Sequence, residues 1–181
     1  MGANERLEIA SYNPNWPNAF AAERSRLGDV LGDLALRIDH HGSTAVPGLA
    51  AKPIIDIQVS VRYLTPLDDY VRRLALIDYL HVPHPDDAVC PFFHRPTDWP
   101  HTHHVHLVLG GSVEERRTLA FRDYLRKHPS VAREYEELKR WLASTHSAAT
   151  FAERQAYADS KTDFVSRVTE SALREHLPLD L

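Results

Sequence analysis

The sequence predicts an α+β fold: a small mixed β-sheet with flanking helices, followed by a C-terminal helical bundle. Three observations carry this prediction. Short apolar runs of alternating pattern fall within the first 111 residues, helical spacing runs almost unbroken from Ser112 to the end, and Gly110 and Gly111 separate the two regimes. With 181 residues, 43% of them hydrophobic, the chain suffices for one core. A single unit over 1–181 is expected, with a sheet part at about 1–111 and a helical part at about 112–181 packed on it.

In "PNWPNAFAAERSRLGDVLGDL", Phe20, Leu27, Val30, Leu31 and Leu34 recur at helical spacing and predict a first helix from about Pro17 to Asp33. In "ALRIDHHG", Leu36 and Ile38 alternate and Gly42 ends the run, which is the pattern of a short strand. "PIIDIQVSV" is the clearest strand, with Ile55, Ile57 and Val59 on one face and Asp56 and Gln58 on the other. Thr65 before Pro66 makes an N-cap and first-turn pair for a helix to about Ile77. "PFFHR" and "HHVHLVL" read as two further strands joined through the proline-rich loop at Trp99. In the second half, Ser112 with Glu115 and Thr150 with Glu153 have capping-box spacing. Val131, Tyr135, Leu138 and Leu142 form a stripe on one helix face, and about three helices are expected in all. Trp16, Phe121 and Trp141 read as core.

The balance of 21 basic against 25 acidic residues gives no overall attraction to a nucleic-acid backbone, and a small-molecule ligand is the expected partner. No apolar run is long enough to span a bilayer. The start, "MGANERLEIASYNPNWP", lacks the basic-then-apolar order of an export signal, so a cytoplasmic location is expected. A single cysteine, Cys90, forbids an internal disulfide and a cysteine-only zinc cage. Histidine is abundant, with twelve in the chain, and His94, His101, His103, His104 and His106 crowd into one stretch.

Chemistry concentrates in "HHGSTAVPGLAAKPIIDIQV". A Gly-Ser turn after a strand leaves backbone N–H groups free to cradle a phosphate oxygen, with the Ser43 hydroxyl as a further donor. Alone, such a turn is equally a simple connection. An aspartate among isoleucines and valines would cost roughly several kcal/mol if buried unpaired. Asp56 must therefore meet water, a cation or a metal. His104 and His106 lie two apart on a strand, so both rings share a face. If that strand neighbours the Asp56 strand, the set Asp56, His104 and His106 favours zinc, manganese or iron over magnesium. Surface or hydrogen-bonded histidines are the plain alternative. Lys52, four residues before Asp56, can neutralise a phosphate, pair with that aspartate or simply stay in water. Tyr157 and Lys161 form an i, i+4 pair on one helix face, and Lys139 ends "EYEELK". Arg95 and Arg122 are weaker candidates.

Five stretches, "YNPNWPNAF", "HHGSTAVPGLAAKPIIDIQV", "THHVHLVLGGS", "FRDYLRKHPSVAREYEELK" and "YADSKTDFV", together resemble the GrpB family, in the same order and over nearly the whole chain. That family is regarded as part of the polymerase-beta-like nucleotidyltransferase superfamily, and the resemblance implies a nucleotidyltransferase-like fold. In the superfamily a Gly-Ser turn precedes a strand with two alternate carboxylates, which hold metal ions against a nucleoside triphosphate. Gly42, Ser43 and Asp56 fill the matching places, but Gln58 stands where the second carboxylate belongs. A neutral amide brings no charge to offset the dehydration of magnesium. The resemblance also implies phosphate contacts from His40, which it favours over His41, and from Lys52, and a triphosphate-binding lysine at Lys139 or Lys161.

The leading expectation is a nucleotidyltransferase-like protein that binds a nucleotide or phosphorylated ligand with magnesium or manganese. Asp56, Ser43 and Lys52 would then be catalytic, with His40, Gly42, Lys139, Tyr157 and Lys161 binding the ligand. The alternatives are a catalytically degenerate phosphate-binding module, or a transition-metal enzyme of other chemistry using His104, His106 and Asp56. On this reading, Gln58→Asp should raise metal affinity.

Overall fold

The computed structural model describes residues 7–147 and 149–175. Helix α1 (Trp16–Leu31) carries Pro17 in its first turn and stops at Gly32, whose φ of 52° breaks the helical path. Strand β1 (Ala35–His41) leads through the Gly42 turn and a long loop into β2 (Ile55–Val61). Helix α2 (Asp68–Ala75), β3 (Leu80–Val82), β4 (Phe92–Arg95) and β5 (His103–Leu109) complete the sheet half. Four helices follow: α3 (Val113–Lys127), α4 (Pro129–Thr145), α5 (Phe151–Asp159) and α6 (Thr162–Arg174).

The sheet is mixed, in the order β1-β2-β5-β4-β3, with β2 and β5 parallel and the other pairs antiparallel. Alternation along β2 buries Ile55, Ile57 and Val59 against α1 and α2, in a core that includes Leu27, Leu31, Tyr70, Leu74 and Phe93. A second core joins α3, α4 and α6 through Phe121, Leu125, Tyr135, Phe164 and Val168. Val46 and Leu49, from the loop after Gly42, insert into this second core and tie the two halves together. No helix among the described residues is long and apolar enough to cross a membrane.

Several elements depart from expectation. Thr65 caps nothing: α2 begins at Asp68, with Leu67 at the cap position and no side-chain cap. Its ends are instead complemented by Asp68 and Asp69 in the first turn and Arg72 and Arg73 in the last. β3 was too short, and too exposed, to give an alternating signal. The helical half has four helices where about three were expected. Ser112 does cap α3, accepting from the Glu115 N–H at 3.1 Å. The Glu115 carboxylate does not return the bond to Ser112; it binds Ser60 Oγ at 2.5 Å and the Gly111 N–H at 2.6 Å. The Thr150–Glu153 box closes in both directions. Trp16 and Phe121 are buried, but Trp141 is 61% exposed. It lies about a quarter turn off the stripe that carries Tyr135 and Leu142.

Candidate functional site

Strand register builds one wall of the site. His41 on β1 sits opposite Asp56 on β2, Asp56 lies beside His104 on β5, and His104 faces His94 on β4. Residues paired across strands point to the same face, so His41, Asp56, His104 and His94 form a row across the sheet. At its head is Gly42, with φ at 68°; a Cβ there would lie 2.5 Å from Asp56 Oδ2. Only glycine lets the turn approach the carboxylate this closely.

Asp56, with a side chain 29% exposed, accepts a hydrogen bond from His104 Nδ1 at 3.2 Å. Burial works against its ionisation, but the hydrogen bond from His104 and the electrostatic pull of His104, His41 and His106 together outweigh it and hold the carboxyl well below the usual range. With Nδ1–H committed to Asp56, His104 turns Nε2 to His101 Nδ1, 3.1 Å away, and the two rings share a hydrogen bond. His101 stacks on His94 at 3.7 Å, and His94 Nδ1 donates to the Pro96 carbonyl at 3.0 Å. Burial pushes His101 down to about 3, so its ring is neutral at ordinary pH.

The opposite wall comes from the helical half and encloses a cleft of about 460 Å³. Lys52 and Lys161 lie 4.8 and 4.3 Å from the centre of the Tyr157 ring, and Lys139 lies 4.8 Å from that of Tyr135. Lys139 also donates to the Ala50 carbonyl, while Glu136 accepts from the Ala50 N–H at 3.1 Å. Tyr135 in turn reaches the Ser43 hydroxyl. Burial, then repulsion from Lys52, pushes Lys161 down to about 7; burial, then repulsion from Lys161, does the same to Lys139. Lys52 is lowered as well, chiefly by burial. Among the described residues lining the cleft, Lys52, Lys139, Lys161 and Arg154 are its strong cations, and Asp56 is the sole carboxylate.

The structure therefore brings Gly42, Ser43, Lys52, Asp56, His104, His106, Lys139, Tyr157 and Lys161 to one cleft. His40 is not among them. Its Nε2 donates to Thr44 Oγ1 at 2.9 Å, and its ring stacks on Phe20 of α1 at 4.8 Å, so the ring that lines the cleft is His41. Arg122 donates to the His40 carbonyl, and Arg95 pairs with Glu23 at 2.6 Å; neither lines the cleft. Gln58 is 0% exposed beneath α3, its Nε2 3.4 Å from the Glu115 carbonyl and its Oε1 without a partner. The position expected for a second acid thus belongs to the core. His106 meets His41 edge-on at 5.3 Å and lies 3.8 Å from Cys90 Sγ. Among the described residues no group of three or more His, Cys, Asp or Glu side chains is arranged to hold a metal ion. Trp99, Phe151 and Arg154 also line the cleft, and no chemical pattern in the sequence had singled them out.

A mixed sheet that sets a Gly-Ser turn against a strand aspartate, with helices closing the far wall, defines a nucleotidyltransferase-like fold. A solved structure of the GLD-2/RNP-8 complex has this fold: TM-score 0.54 and 15% identity over 73% of this chain and 55% of that one. Within that class the chain belongs to the GrpB family, whose model, described as GrpB protein, matches residues 6–171. The crystal structure of conserved protein GrpB from Enterococcus faecalis superposes with a TM-score of 0.82 at 32% identity, covering 93% of this chain and 99% of that one. UPF0157 protein YqkA of Bacillus subtilis is 34% identical over 169 residues; the match covers 93% of this chain but spans only 48% of that protein. A dephospho-CoA kinase of Mycolicibacterium paratuberculosis is 32% identical over 162 residues, 76% of this chain and 40% of the kinase.

Proposed function

We propose that the cleft binds a phosphorylated small molecule, gripping its phosphates between the Gly42-Ser43 turn and the lysines of the helical half. One observation carries this reading: among the described residues, Lys52, Lys139 and Lys161 line about 460 Å³ in which Asp56 is the single carboxylate. Burial and crowding lower the proton affinity of Lys139 and Lys161, and an anion beside them restores it. Nucleotidyl transfer is the activity this reading favours, with a catalytically silent binding module as the alternative, and a cytoplasmic setting belongs to the same proposal. The two-metal arrangement does not fit these residues, because Gln58 is buried and both ring nitrogens of His104 are engaged. A cation arriving with the phosphates would find Asp56 as its protein carboxylate. The kinase relative, whose name makes dephospho-CoA its substrate, makes that compound a natural probe.

A thermal-shift panel of tripolyphosphate, nucleotides and dephospho-CoA, each with and without magnesium, manganese or zinc, tests the reading. Tripolyphosphate should raise the melting temperature, and Lys161→Ala should remove most of that rise. No shift with any probe would overturn the proposal.

Binding should also depend on pH. Lys139 and Lys161, held near 7 in the empty cleft, return toward 10.5 beside a polyanion. The complex then carries more protons than the empty protein between about pH 7 and 10.5. Affinity should fall as pH rises through that window, and calorimetry at pH 8 should register proton uptake. In the empty protein the unfolded chain is the better proton binder over the same window, so these lysines make its stability rise with pH.

A further inference from the structure

Besides the lysines of the proposed phosphate grip, the cleft is lined by Trp99, Phe151 and Arg154. Trp99, on the loop between β4 and β5, is half-buried, and its face lies under the Arg154 guanidinium at 4.6 Å. Phe151 opens α5 and stays 56% exposed while lining the same cavity. Phe151 and Arg154 are three residues apart on α5 and share a face, and both line the cavity with Trp99. An exposed phenylalanine and a half-buried indole with a planar cation on its face offer flat surfaces that an unsaturated ring covers well. A volume of about 460 Å³ also exceeds what a lone phosphate chain needs and lies in the range that encloses a whole small ligand.

We propose that Trp99, Phe151 and Arg154 form a stacking subsite for the base of a purine nucleoside polyphosphate whose phosphates meet the lysines. This rests on the phosphate reading above and names the ligand class for it. Recognition is by ring face. Among the described residues the one amide side chain lining the cleft, Gln155, commits its Nε2 to Asp159 at 2.9 Å, so little is left to read a base edge. Adenine and guanine should bind alike, and the smaller uracil ring less well.

Titration calorimetry with tripolyphosphate, ATP, GTP and UTP on the wild type and on Trp99→Ala, Phe151→Ala and Lys161→Ala separates stacking from the phosphate grip. The wild type should bind ATP and GTP at least tenfold tighter than tripolyphosphate. Trp99→Ala and Phe151→Ala should each weaken ATP by roughly 5- to 100-fold and leave tripolyphosphate unchanged, whereas Lys161→Ala should weaken both probes. Phe151 is exposed, so its replacement leaves the fold intact and keeps the test valid if Trp99→Ala folds poorly. Equal affinity for ATP and tripolyphosphate, or parallel loss of both in Phe151→Ala, would overturn the stacking subsite while the phosphate grip stands. Absence of binding by either probe would instead bring down the phosphate reading, and the subsite with it.

Discussion

Gln58→Asp should lower stability by roughly 3 kcal/mol or more at neutral pH and should create no metal site. The strand pattern alone points the other way, since an acid two residues after Asp56 completes the familiar pair. The environment decides it. Gln58 is 0% exposed, and its amide nitrogen lies 3.4 Å from the Glu115 carbonyl. The Glu115 carboxylate is itself buried and bound to Ser60 and Gly111. Aspartate would lose the donor to Glu115, add a negative charge near another, and gain no water.

Its carboxyl would be raised by burial, so the folded state would hold the proton to higher pH than the unfolded chain does. The deficit relative to wild type should therefore be smallest near pH 4 and grow toward neutrality. Urea denaturation at pH 4.5 and 7 measures both. Gln58→Met, which removes the orphaned Oε1 along with the weak bond, should cost far less. A stable Gln58→Asp that binds manganese would mean α3 does not seal this position.

How much of the site the sequence could reveal follows from strand geometry. The period of two in "PIIDIQV" put Asp56 and Gln58 on the face away from Ile57, and "HHVHLVL" put His104 and His106 on one face; both hold. What separates Asp56 from Gln58 is not periodicity but the helix packed over one and not the other. The same limit explains the exchange of His40 for His41. Neighbouring residues on a strand face opposite ways, and the register that pairs His41 with Asp56 is a tertiary fact. His40 consequently faces α1 and stacks on Phe20. Tyr135 belonged to a legible core stripe, and its ring is indeed buried, yet its hydroxyl reaches Ser43. A helix-face pattern says where a ring packs and nothing of what its polar tip touches. Trp141 is the opposite lesson: its angular position off the face of Tyr135 and Leu142, not its bulk, sets its 61% exposure.

Gly42→Ala should cost both stability and ligand affinity through two separable contributions. The backbone holds φ at 68° with ψ at −169°, an essentially glycine-only region that alanine enters at roughly 1–3 kcal/mol. Its Cβ would also stand 2.5 Å from Asp56 Oδ2, 3.1 Å from Cγ and 3.0 Å from Cβ, so the turn or the carboxylate must move. If the carboxylate yields, the 3.2 Å bond to His104 breaks; if the turn yields, Ser43 leaves the position proposed for it beside a phosphate. Either movement damages the site, so binding of tripolyphosphate should weaken by more than roughly tenfold. A double-mutant cycle with Asp56→Ala isolates the clash, because that change removes Oδ2 and Cγ and leaves the φ cost untouched. The stability loss caused by Gly42→Ala should therefore shrink in the Asp56→Ala background toward the backbone contribution, with only the 3.0 Å approach to the remaining Cβ left over. An undiminished loss there would mean that the turn and the carboxylate are not in contact, and the cleft's arrangement of phosphate donors beside a single acid would have to be abandoned.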